Sequence, residues 1–352
     1  MQHTFRHSVF IACVGIILMM MSHAAMAQYQ LRNLDSNQVG QANHTDPLLV
    51  NGWGLVHGPG TPWWVSDNNS GWSTLYNGAG VQVQALKVLI PTAGENGPGS
   101  PTGIVFNPTA GAASPDFLVN KSPSVFLFAA MDGTIIAWAP SNQATFNEAI
   151  VAVDNSKSGA KYTGLAITNR TSGNLLYAVN LAQNRIDVFN KNFAPVSASF
   201  TDPDLPAGFS PFGIRDINGQ VYVTYAATNG GTGGFVDVFK EDGTFVKELI
   251  KGVPLNQPWG IAMAPGNFGP LSNKLLVGNN VNPGTINAFD PVHGNLVGTV
   301  RDTNSRDIRI DQLWAIDFGG GDSASGPNNH LYFTAGPKNN LAGTFGVIQL
   351  AP

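Results

Sequence analysis

Eleven polar side chains stand where this sequence could do chemistry: Asn51, Asp67, Asn68, Asp132, Asn180, Arg215, Gln257, Asn279, Asn280, Gln312 and Asp317. All but Arg215 carry a carboxylate or amide oxygen. Such oxygens hydrogen-bond a polar ligand or hold a hard divalent cation such as Ca²⁺. Softer metals are poorly served: the one cysteine is Cys13, and His44, His57, His293 and His330 lack ligand spacing, which argues against structural zinc. Asp67-Asn68-Asn69-Ser70-Gly71 opens like a calcium loop, but the twelfth position is Gly78 where such a loop needs Glu. The runs Gly230-Gly231 and Gly319-Gly320-Gly321 lack the strand–helix setting of phosphate loops, and no Gly-x-Ser-x-Gly elbow occurs. No cofactor is firmly indicated.

An internal repeat decides where these residues sit. A phrase of an aromatic or small residue, glycine and an aliphatic recurs at spacings of roughly 50 residues, the range of propeller blades. Its copies are Trp53-Gly54-Leu55, Thr102-Gly103-Ile104, Thr163-Gly164-Leu165, Phe212-Gly213-Ile214, Trp259-Gly260-Ile261 and, with Ala for Gly, Trp314-Ala315-Ile316. Strand-like runs follow each phrase, rich in β-branched and aromatic residues and bounded by Gly, Asn, Asp or Pro. Examples are Trp63 to Ser66, Leu175 to Val179 with Arg185 to Phe189, Val221 to Tyr225 with Phe235 to Phe239, and Lys274 to Gly278 with Thr285 to Phe289. The last repeat has a third run, Thr344 to Leu350, but no fourth, while Tyr29 to Leu34 is a spare run at the other end. The expectation is an all-β, six-bladed propeller whose N-terminal strand completes the last blade, a closure that hides sheet edges without disulfides.

In such a blade, the loop entering the innermost strand and the loop between the second and third strands open on one face. Three residues before each central Gly or Ala come Asn51, Ser100, Lys161, Ser210, Gln257 and Gln312. After the second strands come Asp67 and Asn68, Asp132, Asn180, Thr228 and Asn229, Asn279 and Asn280. Both sets fall on this face, where a ligand would bind, although Asn and Asp are also simply good turn residues. Two positions after each central residue stand Val56, Val105, Ala166, Arg215, Ala262 and Asp317, aimed at the channel by strand alternation. Arg215 and Asp317 can then meet as a structural ion pair, or Arg215 can serve an anionic ligand. The central glycine lets backbones approach closely, and the Trp or Phe before it is expected to pack between blades.

The stretch Tyr177-Ala178-Val179-Asn180 with Asn184-Arg185-Ile186-Asp187-Val188-Phe189 resembles the repeat of NHL-type propellers and, more loosely, of gluconolactonase-like six-bladed enzymes. Over residues 28–350 the chain resembles an uncharacterised family of exported bacterial propellers, some of which carry a PEP-CTERM sorting tail. Gln30 to Leu34, Asn51-Gly52-Trp53-Gly54, Trp64 to Asn68, Ala264 to Gly269 and Asn273 to Asn279 carry that resemblance. It brings no established reaction. Gluconolactonase-like enzymes place a metal-binding Glu at the first inner strand, where this chain reads Asn51-Gly52-Trp53-Gly54.

Arg6, an apolar run from Val9 to Met21 and Ala25-Met26-Ala27 have the pattern of a secretory signal peptide over residues 1–27, leaving residues 28–352 as one domain. The apolar run is short for a membrane span, and Cys13 would leave with it. The expected product is a secreted or periplasmic monomer with no membrane anchor. The chain has 41 glycines and 23 prolines among 352 residues, 11% charged residues, 43% hydrophobic ones and a formal charge of −4. That balance suits many short strands and offers no basic surface for nucleic acid. Two functions follow. One is a non-catalytic module binding a carbohydrate, a peptide or an envelope partner on the polar face. The other is a cation-dependent hydrolase or lyase, with Asp67, Asp132, Asn180 and Asn279 as ligands and Arg215 steadying an anionic intermediate. Scarcity of acid–base groups favours the first.

Overall fold

A computed structural model describes residues 28–94, 97–141 and 146–352, so the expected signal segment lies outside the described residues. Among these, six antiparallel sheets form a ring. Their innermost strands are Gly52–Val56, Pro101–Phe106, Tyr162–Ile167, Phe209–Ile217, Pro258–Met263 and Leu313–Phe318, which carry the six copies of the phrase and define blades 1 to 6. Successive inner strands touch around the axis, and that of blade 6 returns to blade 1. No α-helix occurs among the described residues, and no helix there is long and apolar enough to cross a membrane.

Closure is as expected and runs two residues further. Tyr29–Ser36 is the fourth strand of blade 6, antiparallel to Thr344–Leu350 from Tyr29↔Leu350 to Ser36↔Thr344, with the short His44–Thr45 paired parallel outside it. Its side chains hold both neighbours: Tyr29 packs with the apolar residues shared by blades 5 and 6, and Leu34 with those shared by blades 6 and 1. The Tyr29 hydroxyl also donates to the Phe268 carbonyl at 2.8 Å. Fourth strands vary: blade 4 has Phe245–Lys251, whereas blades 1 and 3 keep only Val88–Leu89 and Pro195–Val196. The widest gap between phrases, Gly103 to Gly164, accommodates an extra hairpin in blade 2, Leu118–Val119 with Ser122–Pro123.

The apolar interior is divided into six layers, one between each pair of neighbouring blades. Strand alternation explains this. In Gly234–Lys240, Phe235 and Phe239 face blade 3 while Val236 and Val238 face blade 5. Both faces of each blade are therefore apolar, giving the near-continuous hydrophobic runs of the sequence.

At the axis the blades meet through backbone. A Cβ on Gly54 would lie 2.3 Å from the Thr102 carbonyl oxygen, one on Gly103 2.3 Å from the Leu165 nitrogen, and one on Gly213 2.3 Å from the Trp259 carbonyl oxygen. Side chains at these positions would push neighbouring blades apart. Gly213→Ala is expected to destabilise the protein by about 2–3 kcal/mol, the scale of overpacking in a tight core, read as a lower urea midpoint with unchanged slope. A neutral result would show that the inner strands have slack.

Candidate ligand site at the propeller axis

All six blades break register at the repeated phrase. The shifts fall between Gly52 and Leu55, Tyr162 and Gly164, Pro211 and Gly213, Pro258 and Ile261, and Leu313 and Ile316, and in blade 2 opposite Thr102 and Gly103. Such a bulge turns a side chain out of the ordinary alternation. The residues affected precede the central Gly or Ala; the aromatic ones pack between neighbouring blades, as expected, at the blade 6–1 and blade 5–6 joints, and they also meet across the axis, which was not expected. Phe212 of blade 4 meets Trp314 of blade 6 with ring centroids 5.8 Å apart, and Trp53 of blade 1 meets Trp259 of blade 5 at 6.4 Å. The Trp259 indole N–H donates to the Thr163 carbonyl of blade 3 at 3.0 Å. None of these pairs are ring neighbours. Trp53 and Trp314 stack at 3.5 Å and 19°, and Trp259 stands edge-on to Trp314 at 5.9 Å. Three indoles and a phenyl ring thus plug the channel.

Beyond the plug, on the side where the inner strands exit, lies a cavity of about 190 Å³. Its floor includes Trp259, and its walls include Val56, Val105, Phe106, Ala166, Arg215 and Asp317. The alternation argument for Arg215 and Asp317 holds. Arg215 Nη2 lies 2.7 Å from Asp317 Oδ1, and Arg215 Nη1 donates to the carbonyls of Ile261 and Ile316 at 3.3 and 3.4 Å. The Phe318 N–H donates to Asp317 Oδ1 at 2.8 Å, leaving Asp317 Oδ2 and the remaining guanidinium N–H groups for other partners. The Arg215 side chain keeps 35% of its surface exposed and Asp317 15%, so the pair faces the cavity half-solvated. Beside it, burial pushes the Asp216 carboxyl up to about 6, with Glu241 adding to the shift.

Of the eleven expected site residues, only Arg215 and Asp317 line this cavity. The rest lie at the opposite ends of the inner strands. Main-chain bonds from Asn68 to Asn51 at 3.1 Å and from Asn280 to Gln257 at 2.9 Å bring both sets to one face, as expected. Their side chains do not converge on a ligand. Asn68 and Asn280 donate to Pro101 and Leu313 carbonyls of the next blade, each at 3.0 Å. Gln257 reaches back to Ala227 and Gly231 at 3.1 and 3.2 Å, and Asn51 Oδ1 accepts from the Trp314 indole at 2.9 Å. Gln312 holds its strand entrance with a left-handed φ of 53°. Asn180 and Asn279 bond within their blades to Asp187 and Asn287, both at 2.8 Å. Asp67 accepts from the Thr74 N–H at 3.1 Å and lies 2.8 Å from its hydroxyl, and Asp132 accepts from Thr134 and Ala93, both at 2.7 Å. These amides tie turns and blades together. Asp67, Asp132, Asn180 and Asn279 are each committed in a different blade, and among the described residues no three of His, Cys, Asp or Glu group as a metal site. These four side chains therefore do not form one donor set.

No family model matches the chain. It is similar to proteins of Acanthamoeba polyphaga mimivirus. "Uncharacterized protein R648" is 29% identical over 92% of this chain and 81% of its own length. "Uncharacterized protein L690" is 30% identical over 82% of this chain and 78% of its own length. The chain belongs to the family of L690. Solved structures give the family its fold: a Bacteroides thetaiotaomicron protein of unknown function (TM-score 0.56, 10% identity, 91% of this chain and 76% of that one), and a glucose dehydrogenase (0.55, 13%, 92% and 99%). A streptogramin B lyase follows at TM-score 0.51 and 12% identity, over 93% of this chain and 98% of that one. These likenesses show the six-bladed propeller alone.

Sequence reasoning missed the plug. The signal available was the aromatic character of the residue before glycine in blades 4, 5, 6 and 1, against Thr102 and Thr163 in blades 2 and 3. The ion pair permits a direct check. Arg215→Met leaves Asp317 without its counter-ion and is expected to cost about 1–3 kcal/mol, less than a fully buried pair because the guanidinium is partly solvated. The double variant Arg215→Met/Asp317→Leu should cost less than the sum of the single ones in a urea-denaturation cycle. Strict additivity would mean the two groups are uncoupled.

Proposed function

We propose that this protein is a binding propeller whose axial cavity takes a small, uncharged, hydroxyl-bearing ligand of the carbohydrate class. The observation that carries this reading is the half-solvated Arg215–Asp317 pair beside an indole floor. The pair presents adjacent donors and acceptors, as vicinal hydroxyls require, and Trp259 supplies an apolar aromatic surface. Asp317 already neutralises Arg215 and Asp216 adds negative charge, so an anion would have to displace a carboxylate. This disfavours the role for Arg215 with an anionic ligand. A volume of about 190 Å³ suits one small ring and no polymer.

The alternative, a cation-dependent hydrolase or lyase, lacks a donor set: its four ligands are spent on structural bonds in four blades. Export to a secreted or periplasmic location belongs to the same proposal, supported by the Arg6, Val9 to Met21 and Ala25-Met26-Ala27 pattern. So does kinship with exported bacterial propellers.

Titration of tryptophan fluorescence with a panel of neutral monosaccharides, sugar acids and amino sugars tests the reading. A neutral sugar is expected to bind, with affinity reduced tenfold or more in Arg215→Ala and Trp259→Ala, and unchanged in Asn180→Ala on the other side of the plug. Preference for sugar acids, or binding insensitive to the first two variants, would overturn it.

A further inference from the structure

The seam that closes the ring holds a constellation that the axial site does not use. Asp35 on the closing strand, Asp46 in the following loop and Asp67 at the end of blade 1's second strand are each no more than 1% exposed. Asp46 bolts the two parts together: its N–H donates to the Ser36 carbonyl at 3.1 Å, and its Oδ2 accepts from the Tyr76 hydroxyl of blade 1 at 2.9 Å. The Gln82 amide and the Leu48 N–H also donate to this carboxylate. From Tyr76 the chain continues through Thr74, whose hydroxyl lies 2.9 Å from Tyr76 Oη and 2.8 Å from Asp67 Oδ2.

Counting protons shows what this chain requires. Tyr76 gives its one hydroxyl proton to Asp46, and Thr74 has a single proton for two acceptors. The three contacts need one proton more than the two hydroxyls carry, and all are satisfied when Asp67 is itself protonated, donating to Thr74, which donates to Tyr76, which donates to Asp46. If Asp67 loses its proton, Thr74 must turn to it, and Tyr76 loses a donor. Asp67 Oδ1 and Asp35 Oδ1 already lack any partner.

We propose that this cluster is a proton-operated latch: while it is protonated, the Asp46–Tyr76 bond holds the closing strand and its loop to blade 1, and ionisation of the buried Asp35 and Asp67 beside that bond loosens it. Around them stand Asp46 and His44 from the loop, Tyr76 from blade 1 and Tyr332 from blade 6. Among the described residues no ion pair reaches the three carboxylates. Burial, with Asp46 adding to it, pushes Asp35 up to about 7 and Asp67 well above the usual carboxylate range. The folded protein thus keeps protons that the unfolded chain releases from about pH 4. Stability conferred by Asp35 is complete below that point and is lost as pH rises to about 7, beyond which the seam itself is charged.

Hydrogen exchange of the whole chain between pH 5 and 9, corrected for intrinsic rates, reads the latch directly. Protection of residues 29–36 is expected to fall at least tenfold more than that of residues 185–189 in blade 3. Asp67→Asn, whose amide can donate to Thr74, should reduce this difference severalfold, Asp35 accounting for what remains, and Asp237→Asn in blade 4 should leave it intact. Equal loss across the ring in the wild-type protein would overturn the proposal, whether or not the variant folds. So would a folded Asp67→Asn protein that retains the full difference.

Discussion

The arrangement depends on how closely the six inner strands approach at the axis. Where Gly54, Gly103, Gly213 and Gly260 stand, a Cβ would lie 2.3–2.5 Å from a backbone atom of the next blade. That approach sets the bore of the channel, and the bulge at the same position decides what fills it. With Trp53, Phe212, Trp259 and Trp314 aimed inward, the bore is blocked at one level and open beyond it. The cavity therefore lies on the exit side of the inner strands, and the amides crowding the other side serve the ring.

Much of this was legible in the sequence, for a physical reason. A blade buries both faces, so its strands read as apolar runs, and repetition turned weak strand signals into a strong count of six. Closure was legible because one blade lacked a fourth run and Tyr29 to Leu34 supplied one. The Arg215–Asp317 pair was legible because equivalent positions in the other blades are Val56, Val105, Ala166 and Ala262, so two opposite charges stood out. What escaped was anything decided by one local irregularity. Strict alternation sends Trp53 and Trp314 between blades, and only the bulge brings them to the axis as well. The amides were placed on the correct face, but their partners are main-chain carbonyls of neighbouring blades, which residue types do not announce. The carboxylates at the closing seam escaped as a group because Asp35 and Asp46 come from a segment outside the repeat.

Polar residues here divide by what surrounds them. Asn68 and Asn280 occupy equivalent positions in blades 1 and 5 and make equivalent bonds to the following blade, so their role is the repeat's own. Asp317 and Arg215 have no equivalents, and their exposure to the cavity is not needed to close the ring. Departure from the repeat therefore marks residues that the ring itself does not require, whereas repetition explains the amides.

The axis and the seam meet at one interface. Asn51 of blade 1 accepts from the Trp314 indole of blade 6, and Trp53 stacks on the same indole at 3.5 Å. A few residues outward, between the same two blades, Leu34 of the closing strand packs with Trp63, Tyr76 and Phe345. Separating blade 6 from blade 1 would break the indole stack and shift the floor on which Trp259 rests edge-on. The closing strand thus does more than cover a sheet edge: through Leu34 it also packs into the layer between these two blades. The joint that closes the ring and the floor of the axial cavity are held by neighbouring aromatic side chains between the same two blades.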